Sequence, residues 1–349
     1  MTFWEGRRVL VTGHTGFKGS WLCEMLLARG AEVAGLALAP ETQPALFDQL
    51  GLAARMDHAL GDIRDAGLVA ARLRDVRPQI VLHLAAQPLV RRSYRAPLET
   101  WATNVMGTAH VLEAVRALDA PCAVVVVTTD KVYENREWEH PYRETDPLGG
   151  HDPYSASKAG TELVAASWRK AFLAGTGVKV ATARAGNVIG GGDWSEDRIL
   201  PDLARAFGAG RPLLVRNRHS VRPWQHVLDP LEGYLMLAER LTGPEGAQGE
   251  DGFNFGPESA DQRSVGALVE EARRHWPGDW TDATDPAAPH EAGQLALSIE
   301  RARRILGWQP RWDFARAVAE TVGWYRDVAA GTDPAERLRA QVADFGAGG

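Results

Sequence analysis

The sequence predicts an α/β protein: a doubly wound parallel sheet with a smaller, mixed α/β lobe towards the C-terminus. Three observations predict it. Strand-like and helix-like stretches alternate through the first half of the chain. Several of the strand-like stretches are pure apolar runs, Ile80-Val81-Leu82 and Ala123-Val124-Val125-Val126-Val127 among them, which suits strands buried on both faces of a parallel sheet. The chain also opens on Val9-Leu10-Val11 and three glycines spaced three apart, Gly13, Gly16 and Gly19, before a helical pattern closed by Gly30.

Taken in order, strands are expected at 8–12, 32–38, 57–61, 79–84, 122–129 and 178–184. Helices are expected at 17–29, 65–76, 98–118 and 153–174. The first strand, glycine turn and helix would bring backbone N–H groups and a helix N-terminus up to a pyrophosphate. The arrangement is Rossmann-like, with its ligand at the carboxyl ends of the strands. After about residue 187 the alternation stops at Gly190-Gly191-Gly192. Residues 1–187 are therefore expected to bind a dinucleotide, with chain crossings to the later part, and 188–349 to form mainly a substrate lobe. Loops are expected at 242–252 and 277–293, helices at 298–306 and 314–328, and a frayed tail at 345–349.

Composition excludes several classes of partner. The net charge is −6 and no block of Lys or Arg stands out, so neither nucleic acid nor an anionic membrane is indicated. The strongest apolar run, 122–127, is far too short to cross a bilayer, and no signal-peptide pattern is visible. The two cysteines, Cys23 and Cys122, each lie in an apolar stretch; buried free thiols in a reducing cytoplasm account for them. No Cys/His cluster has zinc spacing, and no metal is expected.

The chemistry concentrates in Thr128-Thr129-Asp130-Lys131, at a strand end, and in Tyr154-Ser155-Ala156-Ser157-Lys158. Positions i and i+4 share a helix face, so Tyr154 and Lys158 point the same way. An ammonium beside a phenol favours phenolate, and a phenol tuned towards neutrality can take a proton from a sugar hydroxyl. Alone, the spacing is a common chance occurrence. After a glycine turn and a run of βα units it reads as function. His83, within an apolar strand, reads as a core histidine, while Trp194 and Trp224 adjoin candidate substrate stretches.

These residues resemble the extended short-chain dehydrogenase/reductase family, over nearly the whole chain. Within it they are most similar to the nucleotide-sugar 4,6-dehydratases of the CDP-glucose branch. The likeness rests on His14 and Lys18 inside the glycine loop, Thr129-Asp130-Lys131, the stretch Ala185-Gly186-Asn187-Val188-Ile189-Gly190-Gly191-Gly192-Asp193-Trp194, and Arg222-Pro223-Trp224-Gln225-His226-Val227. The resemblance implies NAD as cofactor, held by Gly13, His14, Gly16, Phe17, Lys18 and Gly19, by Asp62 and Ile63 at the adenine, and by Ala85, Ala86 and Gln87 beside the nicotinamide. Asn104, Tyr154 and Lys158 complete that set. Thr129, Tyr154 and Lys158 would be the dehydrogenase triad, with Asp130 as acid. Gln87, Asn187, Arg222 and Gln225 would bind substrate. Arg198 reads equally as a further diphosphate ligand and as a solvated arginine at a helix start.

Two departures stand out. The end of the second strand reads Leu36-Ala37-Leu38-Ala39, without the acid that usually takes the ribose 2′-OH of NAD. NAD over NADP therefore comes from the resemblance. Lys131 replaces the glutamate base of dTDP-glucose dehydratases, and two readings stand for it: base at sugar C5, or a binding residue only. The resemblance further implies a place in deoxysugar biosynthesis, as for O-antigen, and a homodimer built through a four-helix bundle. The stripes Leu98-Trp101-Ala102-Val105-Met106-Ala109-Leu112 and Tyr154-Lys158-Thr161-Ala165-Trp168-Phe172 have the helical spacing for it, as they have for packing on the subunit's own sheet. The alternatives are a nucleotide-sugar 4-epimerase, which needs no acid/base pair at C5 and C6, and a non-catalytic dinucleotide sensor.

Overall fold

Val9, Leu10 and Val11 are excluded from solvent, and the strand they form, β1 (Arg8–Thr12), stands where the sheet changes its direction of winding. β2 (Glu32–Ala37) and β3 (Asp57–Leu60) lie to one side. β4 (Ile80–His83), β5 (Cys122–Val127), β6 (Val178–Ala185) and β7 (Gly252–Phe255) lie to the other. All neighbours pair in parallel. This is a doubly wound sheet, and the connections leaving β1 and β4 diverge at its switch point, where such sheets open a crevice. The computed structural model describes residues 2–244, 246–284 and 295–347.

Two apolar layers cover the sheet. On one face, Val69 and Leu73 of the helix Ala66–Val76, Val111, Leu112 and Val115 of Gly107–Arg116, and Ala165 of Pro153–Trp168 pack on Val81, Val124 and Val126. On the other, Trp21, Leu22 and Leu26 of Phe17–Ala28 join Leu231, Tyr234 and Leu235 of Leu228–Thr242 against Val9, Leu82 and Val125. The later part of the chain thus returns to the sheet twice, as this helix and as β7. Part of the remainder has a separate core, in which Leu203, Phe207, Leu268, Val269 and Val318 meet, while Trp308, Trp324, Leu338 and Phe345 join the second sheet-face layer. Cys23 and Cys122 are buried and free. Among the described residues no helix is long and apolar enough to cross a membrane.

Several expectations are corrected. The strand expected at 122–129 ends at Val127, leaving Thr128 and Thr129 beyond it. The helix expected at 98–118 runs through Pro97–Trp101, a π-helical turn Ala102–Met106, and Gly107–Arg116. The one expected at 153–174 becomes π-helical at Arg169–Leu173. In the loop expected at 277–293, Trp280–Asp282 pairs with Leu213–Val215, and residues 285–293 lie outside the described residues. The tail does not fray at 345–347: the helix Pro334–Ala347 continues, because Phe345 is buried against the Trp312 ring and under the Arg311 guanidinium. Gly348 and Gly349 lie outside the described residues. The two proposed pairing stripes are divided: Ala109, Leu112, Tyr154, Lys158, Thr161 and Ala165 are buried, whereas Leu98, Trp101, Met106 and Phe172 are exposed, as is Leu163 outside the stripes.

Candidate active site

A cleft of about 900 Å³ opens beyond the carboxyl ends of β1, β2, β4, β5 and β6 and is walled on its far side by the C-terminal lobe. Its floor is the glycine turn. Gly13 has φ 75°, and a Cβ there would lie 2.7 Å from Ala85 N; a Cβ on Gly19 would lie 2.1 Å from the Gly13 carbonyl. Only glycine allows that turn and that seat for the helix. The helix Phe17–Ala28 starts without a side-chain cap, so its first N–H groups are available to an anion in the cleft.

Lys18 sits half-buried beside this helix start and donates to Tyr234 OH at 3.4 Å. Burial lowers its pKa to about 7, helped by the charges of Arg198 and Lys158.

The helix that carries Tyr154 and Lys158 begins where local chemistry dictates. Asp152 caps it, accepting from Ser155 N at 3.0 Å, and Pro153 occupies the first turn, where a missing N–H costs nothing. Ser93 Oγ accepts from Tyr154 N at 3.1 Å. Opposite stands the strand end: Thr129 Oγ1 donates to Asp130 Oδ1 at 2.9 Å, and Lys131 Nζ lies 3.6 Å from the same oxygen. Asp130 is 1% exposed, and its Oδ2 is buried without a hydrogen-bond partner.

One electrostatic expectation does not hold. The Lys158 ammonium turns to the Val127 carbonyl at 3.0 Å, and burial lowers it to about 8. Burial pushes the Tyr154 phenol up to about 12; the Thr129 hydroxyl works against that rise, the Asp130 charge adds to it and the Arg198 charge opposes it.

At the lobe side, Arg198 turns into the cleft and pairs with Asp193 at 2.7 Å. Arg222 is 5% exposed and donates to its neighbour's carbonyl, Val221 O, at 3.0 Å. Asn187 Oδ1 is buried and unpartnered. Trp194 and Trp224 also line the wall.

The cleft gathers Gly13, Gly16, Phe17, Lys18, Gly19, Asp62, Ile63, Ala85, Ala86, Gln87, Thr129, Asp130, Lys131, Tyr154, Lys158, Asn187, Arg198 and Arg222. Three candidates from the sequence are elsewhere. His14 is buried behind the turn, its Nε2 2.7 Å from His58 Nδ1. Asn104 lies behind the wall, accepting from Gln87 N at 2.8 Å and donating to Ser157 Oγ at 2.8 Å. The Gln225 amide donates to the Phe255 carbonyl at 2.9 Å, away from the cleft. His83 is a satisfied core histidine, between Thr12 and Thr108 hydroxyls at 2.7 and 3.0 Å.

Sequence reasoning quoted Asp193 without giving it a role, and missed Tyr234 and the Glu41–Arg92 pair that lines the cleft beyond β2. Asp193 is five residues from Arg198 and could have been paired with it. Tyr234 is 216 residues from Lys18 and carries no local signal.

The sequence and the fold have known relatives. The chain is 46% identical, over 98% of its length and 97% of the other, to a CDP-glucose 4,6-dehydratase of Salmonella typhimurium. The solved dTDP-glucose 4,6-dehydratase of Streptomyces venezuelae, with NAD bound, matches with a TM-score of 0.79 and 27% identity over 94% of this chain and 99% of that one. The UDP-glucose 4-epimerase of Thermus thermophilus, complexed with NAD, matches with a TM-score of 0.80 and 27% identity over 91% and 99%. The family described as GDP-mannose 4,6 dehydratase matches residues 10–321, nine-tenths of the sequence, and the chain belongs to that family.

Proposed function

We propose that the protein is a nucleotide-sugar 4,6-dehydratase that converts CDP-D-glucose to CDP-4-dehydro-6-deoxy-D-glucose and water, with NAD as cofactor. The observation that carries this reading is the buried Asp130 carboxyl group, hydrogen-bonded to Thr129 and sharing one cleft with Tyr154. Oxidation and reduction at C4 alone, as in a 4-epimerase, need no acid there. The 46% identity to a CDP-glucose enzyme supports the choice of substrate.

The residues present fit NAD. Gly13, Gly16, Phe17, Lys18 and Gly19 would hold its pyrophosphate, Asp62 and Ile63 its adenine, and Ala85, Ala86 and Gln87 its nicotinamide side, with Tyr154 and Lys158 at the reacting end. When bound, NAD supplies a hydride acceptor for C4 and a hydride donor for C6, so the reaction has no net redox change.

Tyr154 takes the C4 hydroxyl proton, assisted by the Thr129 hydroxyl and the Arg198 charge, which both work against the rise that burial causes. The ketone at C4 acidifies the C5 proton, which Lys131, as the neutral amine, removes and gives back to C5 once the water has left. Asp130 protonates the C6 oxygen, which leaves as water. Asn187, Arg198 and Arg222 hold the diphosphate; a planar guanidinium can bind phosphate oxygens bidentately. Gln225 is left out of this set because its amide is engaged with Phe255.

Residues 1–187 supply the NAD half and 188–349 mainly the substrate half, with Leu228–Thr242 and β7 returned to the sheet. Two buried free thiols fit a cytoplasmic enzyme. Its product would feed deoxysugar synthesis for surface polysaccharides such as O-antigen. A homodimer through the helices Pro97–Arg116 and 153–173 would cover Leu98, Trp101, Met106, Leu163 and Phe172, an apolar face otherwise left to solvent.

Incubation with CDP-, dTDP-, GDP- and UDP-glucose, scored by mass loss of one water, tests the reading. Water loss from CDP-glucose is expected. Reaction of dTDP-glucose alone overturns the substrate, and epimerised product without water loss overturns the dehydratase.

A further inference from the structure

The segment 128–133 carries Thr129, Asp130 and Lys131, and a single buried ion pair holds both of its ends. Glu162, one helical turn beyond Lys158, is 4% exposed. Its carboxylate accepts from Thr128 Oγ1 and from Thr182 Oγ1, each at 2.6 Å. Arg184 on β6 donates to both Glu162 oxygens at 2.9 Å. Its remaining amino group donates to Tyr133 OH at 2.8 Å and to the Glu144 carbonyl at 3.2 Å. Tyr133 OH in turn donates to Asn254 Oδ1 on β7 at 2.7 Å.

Neither Glu162 nor Arg184 lines the cleft. Burying two charges is costly, and well-packed apolar residues of the same volume often serve stability as well or better. A pair that grips Thr128 on one side and Tyr133 on the other has another use.

We propose that Glu162 is a positioning residue for C4 oxidation: with Arg184 it sets the strand end 129–131 against Tyr154 and Lys158. The inference rests on the reading of Thr129, Tyr154 and Lys158 as the oxidation set. Glu162 acts in two ways. It fixes where Thr129 stands, through Thr128. It also places a negative charge near the Lys158 ammonium, which favours the charged form against burial.

Glu162→Gln tests this. Water loss from CDP-glucose is expected to slow about 10- to 100-fold in kcat, the scale of a misplaced reacting group. KM is expected to hold, because the phosphate-facing arginines are untouched, and the alkaline limb of the kcat profile is expected to move to lower pH. The double variant Glu162→Gln with Arg184→Met separates positioning from mere stability. It leaves no lone buried charge, so thermal stability should recover, while kcat and the pH limb should stay impaired. Recovery of kcat together with stability overturns the proposal, as does a wild-type profile in folded Glu162→Gln or a change in KM alone. If Glu162→Gln does not fold, Tyr133→Phe cuts the link from Arg184 to β7 without altering charge. It should lower kcat and leave the pH limb in place, and wild-type kcat there overturns the brace. Wild-type protein that removes no water from CDP-glucose rejects the functional reading itself, before any variant is made.

Discussion

The Lys158 ammonium donates to the carbonyl of Val127, the last residue of β5, at 3.0 Å. The catalytic helix is thereby tied to the strand that presents Thr129 and Asp130. Burial lowers the Lys158 pKa to about 8, so the ammonium is charged below that pH and neutral above it. If the charge assists Tyr154, kcat should fall as pH rises through about 8. Lys158→Arg keeps a charge at any working pH. It should lower kcat through altered geometry and abolish the alkaline limb near 8. A limb unchanged in Lys158→Arg would assign it to another group.

Arg222→Ala should weaken substrate binding. Loss of a charge-assisted contact to phosphate costs on the order of 1.5–3 kcal/mol. If the contact is equal in ground and transition states, that appears as a raised KM with a smaller change in kcat. Steady-state kinetics with CDP-glucose measures it, and an unchanged KM removes Arg222 from the site.

Much of the fold was legible because each element carries its own pattern. The apolar runs of β4 and β5 suit strands buried on both faces of a parallel sheet, and three glycines after β1 mark the turn. β7 was not legible. Gly252-Phe253-Asn254-Phe255 is a four-residue strand between turn-rich stretches, and only pairing with β6 gives it a place. The helix Leu228–Thr242 likewise owes its position to a contact layer shared with Phe17–Ala28. In the site, residues at fixed local spacing could be named. Partners supplied by distant chain could not: Tyr234 for Lys18, or Arg184 for Glu162. The motif around Gln225 fixes its neighbourhood but leaves the direction of its amide open, and the Phe255 carbonyl takes the amide N–H.

Leu98 is 84% exposed and Leu163 62%, on adjacent helices of one face. If that face pairs with a second copy, Leu163→Glu should yield a folded monomer, since the side chain supports no core of its own subunit. Sedimentation at micromolar concentration should show a dimer for wild type and a monomer for the variant. A monomeric wild type rejects the dimer.

Asp229 is fully buried, its Oδ1 accepting from Arg311 N at 2.7 Å and its Oδ2 unpartnered. Burial pushes its pKa from 3.8 to about 7. The folded state therefore binds a proton that the unfolded state gives up. Its contribution to stability is fully present below pH 3.8 and is lost as pH rises through about 7. Asp229→Asn keeps the shape and removes the titration. Between pH 4 and 7 wild type should lose stability relative to the variant, by roughly 3–4 kcal/mol at 1.36 kcal/mol per pKa unit. Urea unfolding of both proteins across that range measures the difference. A constant difference would mean that Asp229 does not titrate there.

Asp130 and Tyr154 share one cleft but serve different halves of the proposed reaction. C4 oxidation needs Tyr154 to take a proton, whereas loss of water needs an acid at the C6 oxygen. Asp130 lies beyond the end of β5 with Oδ2 unpartnered, and Thr129 holds its other oxygen. Asparagine keeps the shape and has no carboxylic proton to give. Asp130→Asn should still oxidise C4, so the absorbance of reduced nicotinamide should appear on adding CDP-glucose and persist. Water loss should slow by roughly 10²–10⁴-fold, the usual range for a general acid. Tyr154→Phe should instead suppress the absorbance itself. If Asp130 served only to support Tyr154 through Thr129, Asp130→Asn would lose both signals together. Normal water loss in folded Asp130→Asn would take the residue out of the mechanism and bring back the 4-epimerase reading.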